Sequence, residues 1–334
     1  MSKTPVATGE ERLIAKYFAP LAAHPGALGL LDDAALLSPP AGCDLVVTKD
    51  AIVAGVHFFA EDPADAVARK ALRVNLSDLA AKGATPAGFL LALALPDSVT
   101  DDWLKSFAAG LGADAEAYGC PLLGGDTVKT PGPLMASVTA FGSVPHGKMV
   151  QRRGAKAGDR VIVTGTIGDA ALGLKLRSEA DAARRWKLDG SIREHLLSRY
   201  LLPQPRNAIA VMMQTHASAA MDVSDGLAGD LAKLCRASGV SAEIEVARVP
   251  LSDAARTALA AEPALIDAIL SGGDDYEIAC TVPAAQSDAF ITAALVLGVK
   301  ATEIGRVTAG QGEPQFLGED GRPLNLSQTS FSHF

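Results

Sequence analysis

Helix-like and strand-like runs alternate along the whole chain, and this pattern restricts the fold more than any other feature of the sequence. Residues 63–82 and 101–118 have helical character, whereas 87–95 is a short, continuous apolar run typical of a buried strand. Such alternation predicts a mixed α/β protein, and no repeat of fixed period is found. The 334 residues fit two domains of about 150 residues each.

The predicted elements extend over both halves of the chain. In the first half we expect helices at 10–23, 63–82 and 101–118, and strands at 44–50, 87–95 and 133–144. In the second half we expect strands at 160–165, up to 221, at 242–247, after 277 and at 301–307, and helices from 169, around 191–213, at 226–237 and after 251. The polar, basic, glycine-punctuated segment 145–160 predicts a boundary between domains 1–145 and 146–334.

Charge and cysteine usage exclude several classes of function. The net charge of −8, without a local basic patch, argues against nucleic acid as a partner. The cysteines Cys43, Cys120, Cys235 and Cys280 are scattered, which argues against a zinc site and a disulfide framework and favours a reducing compartment. No signal-peptide pattern or apolar run of about 20 residues is present, so we expect a cytoplasmic protein without membrane association.

Aspartates recur where apolar strand-like runs end. They are Asp32, Asp33, Asp50, Asp78, Asp126, Asp222, Asp225, Asp274 and Asp275. A single aspartate of this kind is more often a helix N-cap or a turn former. So many aspartates together are harder to explain in that way. If they converge, each pair of carboxylates about 4 Å apart repels by roughly 4 kcal/mol at an effective dielectric near 20. Divalent cations would relieve the repulsion, and oxygen-only ligands suit Mg²⁺, which points to phosphoryl transfer.

The common phosphate-binding motifs are missing from the sequence. It contains no Gly-x-x-x-x-Gly-Lys-[Ser/Thr], no Gly-x-Gly-x-x-Gly and no kinase catalytic-loop motif. The stretch "GTIGDAALG" at 165–173 is interpreted as a strand-to-helix turn. Asn75 and Asp78 lie one turn apart on an apolar helix face, which indicates either a metal or phosphate contact or a satisfied core hydrogen bond. An ATP-binding fold without these motifs must therefore be considered.

Eight motifs resemble those of the thiamine-monophosphate kinase family, in order and in spacing, over nearly the whole chain. They are "LLDDAALL", "TKDAIVAGVHFF", "ARKALRVNLSDLAAKGATP", "LLGGDTV", "RRGAKAGDRVIVTGTIGDAALGL", "MDVSDGLAGDL", "SGGDDYEI" and "SFSHF". Several are shared with the wider aminoimidazole ribonucleotide synthetase-like superfamily. The resemblance implies the two-domain α/β fold of that superfamily, with mixed sheets and a homodimer formed through the N-terminal half.

The resemblance also implies an activity and a set of site residues. The activity is the ATP-dependent phosphorylation of thiamine monophosphate to thiamine diphosphate, assisted by several Mg²⁺ ions, without a protein nucleophile. The implied metal ligands are Asp33, Thr48, Asp50, Asp78, Asp126, Asp222 and Asp225. The implied ATP contacts are Gly125, Asp126, Arg152 and Ser224, and the implied contacts to thiamine monophosphate are His57, Asp274 and Phe331.

Some alternatives stay open at this point. Lys49 precedes Asp50 where the family often has Thr, so either its backbone carbonyl serves a metal or its ammonium touches phosphate. The chain is also compatible with another enzyme of the superfamily or with a catalytically silent Mg-nucleotide sensor. The presence of all the acidic positions favours an enzyme over the sensor.

Overall fold

The computed structural model describes residues 9–327 and residue 330, which separate into two compact units. The first comprises the described residues up to Leu79 together with Pro86–His146, and the second comprises Ala80–Thr85 together with the described residues from Gly147 onward. The segment Ala80–Thr85 therefore groups with the second unit rather than with 1–145, where the sequence analysis placed it. No helix in the described part of the chain is long and apolar enough to cross a membrane.

The first unit combines four strands with three α-helices in its described part. Its elements are α1 (Gly9–Leu13), β1 (Cys43–Val53), α2 (Ala64–Ala81), β2 (Thr85–Leu95), α3 (Asp101–Ala117), β3 (Leu122–Lys129) and β4 (Met135–Pro145), with the last two residues of α2 and the first of β2 belonging to the second unit. The strands form one sheet in the order β1-β4-β2-β3. β1 and β4 are antiparallel, whereas β2 and β3 are parallel and joined through α3.

The second unit is larger and contains a six-stranded sheet. Its elements are β5 (Arg160–Thr164), α4 (Asp169–Ser178), α5 (Ala182–Arg185), α6 (Gly190–Leu201), α7 (Ala210–His216), β6 (Ala219–Val223), α8 (Leu227–Ser238), β7 (Ser241–Glu245), α9 (Asp253–Ala261), α10 (Leu265–Ser271), β8 (Glu277–Val282), α11 (Ser287–Val296), β9 (Ala301–Thr308) and β10 (Gln315–Leu317). The strand order is β10-β7-β9-β5-β8-β6. Only the described β10–β7 pair is parallel among the pairings of this sheet.

Both faces of the six-stranded sheet are covered by apolar side chains. Successive residues of a strand point to opposite faces, so neighbouring residues of β5 belong to different buried clusters. Val161 and Val163 pack into one buried cluster with residues of α4, α6, α8, α9 and α10. Ile162, between them, packs into a second cluster with residues of α7 and α11. The strand is therefore continuously hydrophobic from Val161 to Val163, as expected for a central strand covered on both sides.

The predicted helices at 63–82 and 101–118 agree with α2 and α3 to within a residue. The predicted helix at 10–23 differs, because α-helix extends only over Gly9–Leu13 and continues as a π-helical turn and a 3₁₀ turn. Pro20 lies in the 3₁₀ turn, where its missing N–H and the clash of its ring with the carbonyl four residues earlier do not allow the α-helix to continue. Strand β3 was not predicted, since its central "GGD" has the composition of a turn.

Candidate active site

The predicted site residues are divided between the two units. In the first unit Asp33, Gly125 and Asp126 line a cavity of about 880 Å³ that lies against the four-stranded sheet. Asp33 belongs to the loop that follows the 3₁₀ turn Pro25–Leu30, and Asp126 belongs to β3. Both aspartate side chains are exposed, so they are available to a ligand in this cavity.

Gly125 has a structural reason for lacking a side chain. A Cβ at this position would lie 1.8 Å from the carbonyl oxygen of Leu91, which pairs with it on β2. Glycine is therefore required for the close pairing of β2 and β3, whatever ligand occupies the cavity. The same close pairing holds the neighbouring Asp126 opposite Ala92, at the cavity.

Lys49 also lies at this cavity and is hydrogen-bonded across the sheet. Its ammonium donates to Ser137 Oγ on β4 at 2.5 Å, and the Ser137 hydroxyl donates to the Asp50 carbonyl at 3.3 Å. The Lys49 ammonium therefore lies on the cavity face. Of the two alternatives for Lys49, contact of its ammonium with a phosphate requires this location at the cavity.

Thr48, Asp50 and Asp78 meet at the junction of β1 with α2. The Thr48 hydroxyl donates a short hydrogen bond to Asp78 Oδ2, and the Asp50 backbone N–H donates to Asn75 Oδ1 at 3.0 Å. Asn75 is buried and donates to the Ala71 carbonyl at 3.0 Å, so a satisfied core hydrogen bond explains it. Thr48, Asp50 and Asp78 do not line the cavity that holds Asp33 and Asp126.

His57 is held in the turn that follows β1. Its Nδ1 accepts the Val53 backbone N–H at 3.1 Å, and its carbonyl accepts the Lys70 ammonium at 2.9 Å. Lys70 is only 2% exposed, so this contact fixes the turn from within the core. The contacts give His57 a structural role in the turn, and its contact with substrate stays a prediction.

In the second unit Asp222 and Val223 end β6, and residues 224–226 connect this strand to α8. Asp222 is buried and pairs with Ile278 on β8. The backbone N–H groups of Ser224 and Asp225 both donate to Asp230 Oδ2 at 2.9 Å. Asp230 is fully buried on α8, and burial raises the pKa of its carboxyl, against the opposing effect of Lys233. The turn that carries Ser224 and Asp225 is therefore fixed by a carboxylate that sequence analysis did not identify.

The segment 272–276 lies directly against this turn. The Asp274 N–H donates to the Ser224 carbonyl and the Tyr276 N–H donates to the Val223 carbonyl, both at 2.8 Å. A Cβ on Gly273 would lie 2.4 Å from the Ser224 carbonyl oxygen, so no side chain fits between the two segments. Asp274 and Tyr276 have φ angles of 71° and 50°, which are unusual for residues other than glycine. The structure thus brings Asp274 beside Ser224, in a backbone conformation that surrounding contacts must enforce.

Two further acidic groups lie behind these segments. Asp275 is one of the recurrent aspartates of the sequence, where it received no role in the site, and Asp169 was not identified as a site residue. Asp275 is 1% exposed and accepts the Gly168 N–H on both carboxylate oxygens, and burial raises its pKa well above the ordinary value. Asp169, at the start of α4, accepts hydrogen bonds from Thr166, Ser252 and His195. Burial opposes ionisation of Asp169, but these hydrogen bonds outweigh it and lower its pKa.

Glu277 is the centre of a buried ionic network at the start of β8. Its fully buried carboxylate pairs with Arg199 at 2.8 Å and with Arg206, and it accepts the Thr164 hydroxyl at 2.7 Å. The Arg199 guanidinium also donates to the Asp275 carbonyl at 3.3 Å. These contacts hold the strand that follows the 272–276 segment. In the sequence the only signal was the density of acidic residues in "GGDDYE".

Arg152 and Ser224 are not brought together. The Arg152 carbonyl accepts the hydroxyl of Ser238, the last residue of α8, whereas Ser224 precedes the first turn of that helix. A helix of this length spans about 18 Å. Arg152 is exposed, and Phe331 lies outside the described residues.

No group of three or more His, Cys, Asp or Glu side chains is assembled for metal binding within residues 9–327 or at residue 330. The predicted ligands instead form two separate sets in the first unit and one in the second. Such an arrangement does not fit a closed cage such as a structural zinc site, in which the protein supplies all the ligands. It fits Mg²⁺, which is usually bound through one or two carboxylates and completes its shell with water and substrate phosphates.

Comparison with known proteins identifies the family. The family model described as "AIR synthase related protein, N-terminal domain" matches residues 31–144, and the corresponding C-terminal model matches residues 156–315. The thiamine-monophosphate kinase of Caulobacter vibrioides is 46% identical over 318 residues, which is 94% of this chain and 88% of that protein.

Two solved structures share the fold over almost the full length. The thiamine-monophosphate kinase of Stenotrophomonas maltophilia K279a is 40% identical, with a TM-score of 0.81, and the match covers 94% of this chain and 96% of that one. The complex of AaThiL with AMPPCP and TMP is 31% identical, with a TM-score of 0.76, covering 92% and 97% of the two chains. The chain therefore belongs to the AIR synthase-related family and, within it, to the thiamine-monophosphate kinases.

Proposed function

We propose that this chain transfers the γ-phosphoryl group of ATP to the phosphate of thiamine monophosphate, which yields thiamine diphosphate and ADP. The observation that carries the proposal is the likeness to AaThiL, whose structure contains AMPPCP, an analogue of ATP, together with TMP. The proposed reaction completes thiamine diphosphate biosynthesis. It needs no protein nucleophile, because the acceptor is the substrate's own phosphate.

Mg²⁺ is the proposed metal, held by the carboxylates of Asp33, Asp50, Asp78, Asp126, Asp222 and Asp225 together with the hydroxyl of Thr48. All of these ligands are hard oxygen donors, and Asp33 and Asp126 are exposed at one cavity. When bound, Mg²⁺ supplies charge neutralisation to the approaching phosphate groups. The proposed division of labour places ATP, metal and dimer contacts in residues 1–145, and metal and substrate contacts in residues 146–334.

The protein's own part in the reaction is to align two anionic reactants. Asp230 holds the amides of Ser224 and Asp225, and the Ser224 carbonyl in turn holds Asp274. The proposed nucleotide contact, Ser224, and the proposed substrate contact, Asp274, therefore lie on adjacent backbone segments. Pre-set positions of this kind lower the entropic cost of bringing the reactants together.

The remaining contacts are proposed with unequal support. Gly125 and Asp126 are proposed for ATP because they lie at the same cavity as Asp33. Arg152 is proposed for ATP, and His57 and Phe331 for thiamine monophosphate, from the family resemblance alone. We also propose a homodimer formed through the N-terminal half and a cytoplasmic location, which suits the free thiols of Cys43, Cys120, Cys235 and Cys280.

The activity is tested with purified protein, ATP, Mg²⁺ and thiamine monophosphate. The expected result is the formation of thiamine diphosphate and ADP in equimolar amounts, both quantified by chromatography. Thiamine in place of thiamine monophosphate is the control acceptor and should give no product, because it lacks the phosphate whose oxygen attacks the γ-phosphoryl group of ATP. ATP turnover with no thiamine diphosphate formed would reject the proposal in favour of another enzyme of the superfamily.

A further inference from the structure

Lys233 places a positive charge directly on Asp225, a proposed metal ligand. The lysine lies on α8, two helical turns after the "SDG" motif, and its ammonium is 2.5 Å from Asp225 Oδ2. The same ammonium is 2.8 Å from Asp230 Oδ1. The Lys233 and Asp225 side chains are 31% and 38% exposed, so the contact is reachable by solutes.

The carboxylate of Asp230 connects this ammonium to the backbone of the motif. Its Oδ2 accepts the N–H groups of Ser224 and Asp225, while its Oδ1 accepts the ammonium. A lysine ammonium carries a positive charge at neutral pH, and this one has an exposed partner, Asp225, and a buried partner, Asp230.

We infer that Lys233 is a positioning residue that neutralises Asp225 in the metal-free protein and releases it to a divalent cation. The inference rests on the proposed role of Asp225 as a Mg²⁺ ligand. Asp230 keeps hold of the ammonium when Asp225 leaves it, because its own contact with Lys233 is separate and buried. The ammonium thus opposes divalent-ion binding until Asp225 is released, while the backbone of the turn stays fixed.

The test measures Mn²⁺ binding in the absence of nucleotide, by electron paramagnetic resonance of the free ion. Lys233→Met removes the charge and keeps an unbranched apolar stem, so Mn²⁺ affinity is expected to rise about tenfold. Lys233→Arg keeps the charge and should stay within about threefold of wild type, since a guanidinium still faces Asp225. Lys175→Met is the matched control, because it removes the lysine of a remote pair with Glu179, and it should leave Mn²⁺ affinity unchanged.

Lys233→Gln provides a second variant if Lys233→Met fails to fold, since its amide still donates to Asp230 without carrying charge. Unchanged Mn²⁺ affinity in the folded neutral variant, together with weaker binding by Asp225→Asn, overturns the role of Lys233 and leaves the metal role of Asp225 standing. Wild-type Mn²⁺ affinity in Asp225→Asn overturns both. An affinity gain in the neutral variant that disappears when Asp225→Asn is added supports the inference, because a merely structural lysine would not produce it.

Discussion

Both carboxylate oxygens of Asp275 accept a hydrogen bond from the Gly168 backbone N–H, at 3.0 and 2.8 Å, in a site closed to solvent. This contact ties the segment before β8 to the turn before α4. Because burial raises the Asp275 pKa, the folded state favours the protonated carboxyl. The contact therefore carries a pH dependence that can be measured.

The first prediction concerns substitution of Asp275. Asp275→Asn retains an acceptor for Gly168, whereas Asp275→Ala leaves a buried N–H unpaired and should cost about 1–3 kcal/mol of unfolding free energy. When the pKa of a carboxyl is raised in the folded state, the free energy of unfolding of the protein decreases with pH. The decrease takes place between the pKa of the unfolded state, about 4, and the pKa of the folded state. Urea unfolding should therefore show the stability of Asp275→Asn relative to wild type increasing with pH in that window. A relative stability that decreases with pH would contradict this account.

The second prediction concerns His195, whose pKa is raised chiefly by its 2.9 Å hydrogen bond to Asp169. A histidine whose pKa is raised in the folded state contributes to the free energy of unfolding. The contribution is complete below the pKa of the unfolded state, about 6.5, and is lost as pH rises through the pKa of the folded state. His195→Gln should therefore cost about 1 kcal/mol or less near pH 5.5, since the half-exposed ring is screened by solvent, and less near pH 9. Urea unfolding at the two pH values checks this, and an equal cost at both would reject a charged His195.

The third prediction concerns the aspartates of the "SDG" motif. Asp222→Asn and Asp225→Asn should each lower kcat by about 100-fold or more, because a neutral amide is a weaker Mg²⁺ ligand than a carboxylate. Circular dichroism should show both variants folded. Asp181→Asn is the control, since this exposed residue pairs only with arginines among its described contacts, and it should retain wild-type kcat. Full activity in both motif variants would leave the aspartates a structural role only.

The fourth prediction compares a buried ion pair with an exposed one. Glu277→Gln should cost about 3–5 kcal/mol of unfolding free energy, because it leaves the buried Arg199 guanidinium without its carboxylate. Arg256→Gln breaks an exposed pair with Asp253 and should cost less than about 1 kcal/mol. Urea unfolding of both variants measures the difference. Equal losses of unfolding free energy would mean that the Glu277 network stabilises the protein no more than an exposed ion pair does.

The sequence predicted those parts of the structure that depend on local pattern. Helices α2 and α3 follow from apolar spacing. Asp222, in β6, and Asp225, just after it, were recognised because they come at the end of an apolar run. The residues that hold the site were not recognised. Asp230 and Lys233 have the appearance of ordinary helix-surface charges, and only the fold shows that Asp230 is buried beneath the motif.

Local sequence pattern also does not show that the predicted metal ligands form separate groups rather than one site. Strand alternation determines which face each residue of β1 occupies, but the sequence does not say what covers each face. Lys49 faces the cavity, while Thr48 contacts α2 at Asp78. Tertiary structure decides which carboxylates lie close together. Spacing along the chain therefore indicates candidate metal ligands but does not show which of them share a site.

The last prediction uses the two glycines that flank α8. Gly226 and Gly239 both have positive φ, at 108° and 68°, so alanine is strained at either position. A Cβ on Gly239 meets nothing within 4 Å, and Gly239→Ala should cost about 1 kcal/mol with unchanged kcat/KM. A Cβ on Gly226 would lie 2.5 Å from the backbone of Ser271, so Gly226→Ala must push the motif away from the segment that carries Asp274.

Steady-state kinetics separate these two effects, because displacement of the motif alters the site and strain alone does not. Gly226→Ala should lower kcat/KM by about 100-fold, as expected when reacting groups are misplaced by about 1 Å. Thermal unfolding of the two variants provides the stability comparison, in which Gly226→Ala should be the less stable. If Gly226→Ala lost stability to the same extent as Gly239→Ala and kept its kcat/KM, close packing of residues 224–226 against Ser271 would have no part in aligning the substrates.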